Sequence, residues 1–260
     1  MNKTQFSVTG KSVLVTGAGK GIGRATALLL ADLGASVLAV SRDARDAESL
    51  TNESAAMSGQ LHFLEVDVRN QAQIDAAFKF TERHFGQLHG IVNNAAVCNT
   101  GKRIEDLSDA EWDTTLDINL KGIFRICRAG LPVLRRSGGG SVVNVSSVHA
   151  MATARGHADY AASKGAVLSL SRQLALDYAT DRIRVNALIV GSVDTRMSQP
   201  AFAAAGSAEA LGLSFSPNAI PRVGTPHEIA SVIAFLLSDA SSFINGNGLI
   251  ADGGLLAKLL

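Results

Sequence analysis

The chain reads as an α/β protein: a doubly wound parallel sheet with helices on both faces, built as one domain over 1–260. Three observations predict it. Short apolar runs of strand length alternate with longer stretches of helical period, and that alternation implies parallel strands joined by right-handed crossovers. No stretch before residue 190 has the composition of a linker. A cluster of glycines lies between the first strand and the first helix, at the strand ends where such sheets bind ligands.

The elements follow in order. Residues 12–16, SVLVT, are a buried strand. Residues 21–33 have helical spacing, with Ile22, Ala25, Leu29 and Leu33 expected on one side. Residues 37–40 form the second strand, and a polar helix follows from about Asp43. Residues 61–66 are the third strand; the next helix carries Ile74, Ala77, Phe78 and Thr81 on one face. Residues 88–92 are the fourth strand. A long helix is expected from Ser108, a residue type that caps helix starts, to about Arg136. Gly138–Gly140 ends it. Residues 141–145 are the fifth strand, 157–179 a helix and 183–190 the sixth strand. Pro226, with its fixed φ, suits the start of another helix, and 249–251 are a last short strand. Residues 196–225 break the regular order. Pro200, Pro217, Pro221 and Pro226 cluster in or beside them among small residues, and a segment that long is expected to act as a lid over a site.

Composition narrows the function. Lys plus Arg number 24 against 23 Asp plus Glu, a formal net charge of +1. A balance that even argues against a nucleic-acid partner, which calls for a basic excess on one face. Cys98 and Cys127 are too few for a disulfide framework, and the scattered histidines include no HExxH, so no metal is expected. The longest uncharged run, 137–154, is rich in Gly, Ser and Asn and cannot cross a bilayer. The first ten residues lack the apolar core of an export signal, so a reducing cytoplasm is expected.

The first strand runs into Thr16-Gly-Ala-Gly-Lys-Gly-Ile-Gly23. A strand-to-helix turn collects free backbone N–H groups and the positive end of a helix dipole, which suits a pyrophosphate. Only glycine lets the backbone approach it closely. The spacing matches neither GxGxxG nor a phosphate-binding GK[ST] loop. About 20 residues on, enzymes that use NAD carry an acid for the ribose 2′-hydroxyl. Here the strand ends Val40-Ser41-Arg42, and Lys20 lies in the glycine loop. Two cations suit a 2′-phosphate, so NADP(H) is expected to be favoured over NAD(H). Asp43 keeps NAD(H) open.

Tyr160-Ala-Ala-Ser-Lys164 puts a phenol and an amine one helical turn apart on one face. An ammonium there favours phenolate and is expected to bring the tyrosine toward neutral pH as a general acid/base. With TGAGKGIG, Asn93-Asn-Ala-Ala96, Asn119 and Val145-Ser-Ser147 in the same order, the chain resembles the short-chain dehydrogenase/reductase family from about residue 10 to Gly254. The resemblance implies a Rossmann-type sheet and hydride transfer between a nicotinamide and a substrate carbon. It implies that Tyr160 exchanges a proton with the substrate oxygen, that Ser147 hydrogen-bonds that oxygen, that Lys164 holds the nicotinamide ribose and that Asn119 holds a water leading to solvent. Cofactor contacts are implied for Gly17, Gly19, Lys20, Gly21, Ile22 and Gly23 of the turn. Ser41, Arg42, Asp67 and Val68 would surround the adenosine, with Asn93 and Ala95 along the cleft and Val193 and Thr195 at the carboxamide. Two positions depart from the family pattern: Ala96 replaces a common glycine, and Val190 replaces the proline before Gly191.

The reaction expected is interconversion of a ketone or aldehyde and an alcohol, on a small polar carbonyl, sugar or polyol. Val97, His149 and His157 are candidate substrate contacts; the two histidines are also readable as exposed loop residues. A reductase of 3-oxoacyl groups on acyl carrier protein is the alternative, with Arg125, Arg128, Arg135 and Arg136 as a candidate basic patch. Asp181 stands where such reductases carry an arginine. A non-catalytic NADP-sensing regulator is the rival class, although such proteins usually have a broken Tyr/Lys pair. The family implies a homotetramer, or a dimer, built on the long helices. Trp112, Leu116, Ile123, Ile126 and Cys127 are readable as that face or as core. Cys98 lies near the cleft mouth.

Overall fold

Strands that are apolar throughout need cover on both faces, and the fold supplies it. The computed structural model describes residues 3–99, 101–207 and 220–257. The strands are β1 (Ser12–Thr16), β2 (Ser36–Ser41), β3 (Gln60–Glu65), β4 (Gly90–Asn93), β5 (Gly140–Ser147), β6 (Ile183–Val190) and β7 (Gly248–Ala251). They form one parallel sheet in the order β3-β2-β1-β4-β5-β6-β7. The chain winds outward from β1 to β3, then crosses back to β4 on the other side of β1. The crevice between β1 and β4 is therefore the topological switch point, where a ligand site is expected.

Successive side chains along each strand enter opposite layers. Leu14, Leu38, Ile91, Val142 and Val185 pack against α3 (Gln71–Phe85), α5 (Gly122–Arg136) and α6 (Ala158–Asp177). Val13, Val15, Val37, Val92, Val143 and Leu188 pack against α1 (Gly21–Asp32) and α8 (Pro226–Leu237). On α3 the expected face of Ile74, Ala77, Phe78 and Thr81 is the buried one. Both helix starts expected from sequence are built as capping boxes. Ser108 exchanges hydrogen bonds with Glu111 ahead of α4 (Asp109–Leu116), and Thr225 does so with Glu228 ahead of α8.

Several boundaries and faces differ from expectation. On α1 the buried residues are Gly23, Thr26, Ala27, Leu30 and Ala31, one position on from the expected side, and Leu33 is exposed. Small residues turn inward because they let α1 lie close to the sheet and α8. The polar helix after β2 opens as a 3-10 turn, Ala44–Asp46, before α2 (Ala47–Ser54). β5 runs two residues beyond Val145, because all eight of its residues pair with β6. The long helix is continuous but widens into a π turn at Asp117–Lys121, between α4 and α5. Ile123, Ile126 and Cys127 belong to the core, whereas Trp112 and Leu116 stay partly exposed. Of the expected lid, the short helix α7 (Gln199–Ala205) is described; residues 208–219, Pro217 included, lie outside the described residues. No helix among the described residues is long and apolar enough to cross a membrane.

Candidate active site

The glycine turn is held from below by two side chains. The Thr16 hydroxyl accepts hydrogen bonds from the backbone N–H of Asn94 (2.9 Å) and Ala95 (3.1 Å). Asn94 Nδ2 donates to the carbonyls of Thr16 (3.1 Å) and Gly17 (3.2 Å). Gly17 has φ +63 and Gly21 φ +54, a region that disfavours any other residue. A Cβ on Gly23 would stand 2.2 Å from the Gly17 carbonyl oxygen, and one on Gly17 would stand 2.9 Å from Ala95 Cα. Lys20 occupies the N-cap of α1 in an extended conformation with no side-chain cap. The turn is thus a close-packed cradle at a helix N-terminus without a side-chain cap, and its shape and donors fit a pyrophosphate.

Asn94, not Asn93, makes these contacts. Asn93 is 2% exposed and points the other way, donating to Asn144 Oδ1 at 2.8 Å and lying beside the Cys127 sulfur. It shapes the sheet under the cleft rather than the cleft wall. Two adjacent asparagines at a strand end face opposite layers, and that parity was the signal available in the sequence.

At the end of β2, the cations expected to meet a 2′-phosphate have acidic company. Lys20 Nζ lies 3.8 Å from Asp43 and 3.7 Å from Asp46. A Cβ on Gly19 would meet Asp46 Oδ2 and, at 3.0 Å, Ser41 Oγ. Arg45 grips Asp43 at 2.6–2.8 Å and holds its carboxyl far below the usual range. Arg42 is exposed and lines an open groove of about 730 Å³ with Asp67 and Arg69. Asp67 pairs with Arg69 at 2.6 Å, which lowers the Asp67 pKa. Val68 is buried, packed where α5 begins at Gly122. Across the cleft, the Thr195 methyl carbon lies 3.1 Å from where a Gly21 Cβ would stand, and its hydroxyl is 3.1 Å from Ser198 Oγ. Ser198 also bonds the Val193 carbonyl, so these two residues share one turn beside the glycines. The missing proline at Val190 is offset by pairing: Val190 is in register with Ser147 on one side and Ala251 on the other, and Gly191 N–H donates to Ala251 O at 3.1 Å.

The structure brings Ser147, Tyr160, Lys164 and Asn119 together at the same end of the sheet. Ser147 is the last residue of β5, and its side chain acts on the Tyr160 phenol to lower its pKa. Tyr160 and Lys164 lie one turn apart on α6, both buried. Lys164 Nζ donates to the Val145 carbonyl at 2.8 Å and stands 5.6 Å from the centre of the Tyr160 ring. Asn119, fully buried in the π turn, uses both amide hydrogens and one acceptor position of its oxygen. Its Oδ1 accepts from Val97 N at 2.8 Å, and its Nδ2 donates to Val97 O at 2.9 Å and Ser163 Oγ at 3.1 Å. Ser163 in turn donates to the Tyr160 carbonyl. π turns recur at functional sites, and here one locks the Val97 loop to the catalytic helix.

The electrostatics correct one expectation. Burial dominates both groups: it raises Tyr160 above its ordinary value, with Ser147 opposing, and lowers Lys164 to about 8. The amine sits over the ring and on a carbonyl, so it does not bring the phenol toward neutrality here. Of two further neighbours, sequence placed Cys98 only near the cleft mouth and gave Asp159 no role. Asp159, 1% exposed, accepts from Thr115 Oγ1 at 2.6 Å and from Tyr160 N at 2.8 Å. Cys98 faces Asp159 and Lys164, and burial pushes its thiol up to about 11, so it stays protonated. No cluster of metal-ligating side chains occurs among the described residues.

A dinucleotide cradle beside a buried Ser-Tyr-Lys constellation, at the switch point of a parallel sheet, defines an oxidoreductase of the nicotinamide-dependent class. A family model described as enoyl-(acyl carrier protein) reductase matches residues 17–256. The chain belongs to the short-chain dehydrogenase/reductase family. It is 34% identical to cyclohexanol dehydrogenase from Acinetobacter sp., over 95% of this chain and 96% of that one. It is 34% identical to a 3-oxoacyl-(acyl-carrier-protein) reductase from Thermotoga maritima, over 95% and 98%. Among solved structures it superimposes with a TM-score of 0.90 on a proposed NAD(P)-dependent gluconate 5-dehydrogenase from Beutenbergia cavernae with bound NADP at low occupancy, at 31% identity over 98% and 100% of the two chains.

Proposed function

We propose that this chain interconverts a carbonyl compound and its alcohol, with NADP(H) favoured over NAD(H), on a small polar carbonyl, sugar or polyol. The observation that carries the reading is the buried Tyr160, with Ser147 acting on its phenol and Lys164 one turn away, beside the glycine cradle. The bound nicotinamide would supply or accept the hydride, and the rest falls to the chain. Burial keeps Tyr160 protonated, as a group that delivers a proton to a carbonyl oxygen must be. Ser147 Oγ orients that oxygen. Lys164 keeps a positive charge beneath the phenol at neutral pH and is available to ribose hydroxyls. Asn119 would hold a water leading to solvent. The decisive variant is Tyr160→Phe, which should lose turnover while still binding cofactor in a fluorescence titration. Turnover that survives in Tyr160→Phe refutes the reading.

Cofactor choice rests on Lys20 and Arg42, and the NADP(H) preference is a charge argument. Asp43 and Asp46 beside Lys20 favour a second reading, NAD(H), because a carboxylate accepts from a 2′-hydroxyl and repels a 2′-phosphate. Titration with NADPH and NADH separates the two. The carrier-protein alternative is supported by the Thermotoga relative but disfavoured by charge pairing. Arg125, Arg135 and Arg136 are engaged by Asp117, Asp181 and Glu82, so three of the four candidate arginines are already neutralised. The intact Tyr/Lys pair disfavours the sensor reading. A homotetramer or dimer in a reducing cytoplasm, with no nucleic-acid or membrane partner, completes the proposal; free Cys98 and Cys127 suit that compartment.

A further inference from the structure

Two loops, one of which leads into α6 and Tyr160, are joined by their backbones. Gly101 N–H donates to the Gly156 carbonyl at 3.1 Å, and Lys102 and His157 form an isolated parallel bridge. Both glycines have positive φ, +93 and +76, and a Cβ on Gly156 would stand 2.9 Å from Gly101 Cα. The contact is available only to glycine, and it fixes His157 three residues before Tyr160. His157 then stacks on His149, with ring centres 4.5 Å apart and planes at 25°. His149 meets the Tyr160 ring edge-on at 5.6 Å. The histidines are therefore a built wall, half-buried, and not loose loop residues.

Hydrogen bonding sets the tautomer of His157 and is compatible with the same tautomer in His149. His157 Nδ1 lies 3.0 Å from the Arg155 carbonyl, which can only accept, so Nδ1 carries the hydrogen. His149 Nδ1 lies 2.8 Å from Thr153 Oγ1, a contact that Nδ1 can make as the donor, as in His157. In the neutral ring the other nitrogen is then an acceptor only. Neither Nε2 has a partner among the described residues. Burial, with His157 adding to it, pushes His149 down to about 4, so it stays neutral in ordinary assays.

Resting on the reaction proposed above, we infer that the stacked His149–His157 pair selects substrates with at least one hydroxyl besides the reacting one. With Nδ1 as the donor, each neutral ring offers an Nε2 that receives hydrogen bonds only from donors. A second hydroxyl supplies one; an unadorned ring or chain leaves both nitrogens unpaired. A site built to accept from a hydroxyl discriminates against the analogue lacking it, because its polar groups are left without partners.

The test compares cis-1,2-cyclohexanediol with cyclohexanol in the oxidative direction, as a ratio of kcat/KM. The wild type should favour the diol by about tenfold or more. His149→Phe and His157→Phe keep a stacking ring and delete the acceptor, so each should cut that ratio severalfold, whatever loss the two substrates share. His157→Gln returns an acceptor near the Nε2 position and should restore part of it. A wild-type ratio near one, or phenylalanine variants that keep the wild-type ratio, overturns the inference even if the variants fold poorly, since the wild-type comparison stands alone. Failure of the underlying reaction looks different: neither alcohol is oxidised although cofactor binds.

Discussion

Lys164 costs this fold stability. Its side chain is buried, and its one hydrogen bond among the described residues is to the Val145 carbonyl. Burial lowers its pKa from 10.5 to about 8. A shift of that size corresponds to about 3 kcal/mol between the charged and neutral forms. The direction follows from proton counting. Between pH 8 and 10.5 the unfolded chain holds the proton that the folded chain has released, so this group's contribution to stability rises with pH in that window. Below pH 8 the whole cost is present. Lys164→Met keeps the length and removes the charge, but leaves the Val145 carbonyl without this donor, which costs about 1–2 kcal/mol. The variant should therefore gain about 1–2 kcal/mol at pH 7, roughly 2–8 °C in Tm for a chain of this size. The gain should shrink or reverse as pH rises toward 10, while turnover collapses at every pH. Thermal melts by circular dichroism at pH 7, 8.5 and 10, without added cofactor, measure it. A variant that melts below the wild type at pH 7, with a gap that does not move with pH, refutes the reasoning.

Other expectations rest on single contacts. Gly23→Ala drives a methyl into the Gly17 carbonyl and Asn94; it should cost about 1–3 kcal/mol in stability and weaken cofactor binding at least tenfold, and a variant with wild-type melting and titration curves contradicts the packing. Arg42→Asp should weaken NADPH by about 1–3 kcal/mol and leave NADH nearly unchanged; an unmoved NADPH/NADH ratio removes Arg42 from the 2′-phosphate site. Asp46→Asn, which takes one carboxylate from Lys20, should shift the same ratio toward NADPH, and a shift toward NADH reverses its assigned role. Thr115→Val leaves a buried Asp159 oxygen without its 2.6 Å donor and should cost about 1–3 kcal/mol, with Thr115→Ser restoring most of it in urea unfolding.

Much of the architecture was legible because the central strands are mostly apolar and buried and the helices between them mostly show one stripe. Where a segment carries no stripe, the reading slipped. Residues 21–32 are apolar almost all round, including Leu28, Leu29 and Leu30, so periodicity could not choose a face; close packing chose the one with Gly23 and Ala27. Strand ends mattered more than strand existence. Ending β4 at Val92 instead of Asn93 hides which of two neighbouring asparagines faces the cleft. The π turn at Asp117–Lys121 has no marker in sequence, since α and π turns draw on the same residues.

The catalytic group shows the same division more sharply. An i, i+4 spacing is a local fact, so the meeting of Tyr160 and Lys164 follows from the helix alone. What the pair does electrostatically is not local. It depends on how much water the rest of the fold removes, and here that removal outweighs the mutual influence of phenol and amine: the phenol rises and the amine falls. The pairing of His149 with His157 is likewise unreadable from eight residues of separation. It depends on Gly101, more than fifty residues upstream of His157, meeting Gly156 backbone to backbone. Chemistry carried within one helical turn can be read from the chain, whereas chemistry set by burial or by two loops touching waits for the fold. The proposed substrate wall belongs to the second kind, because neither histidine can be placed until the two loops meet.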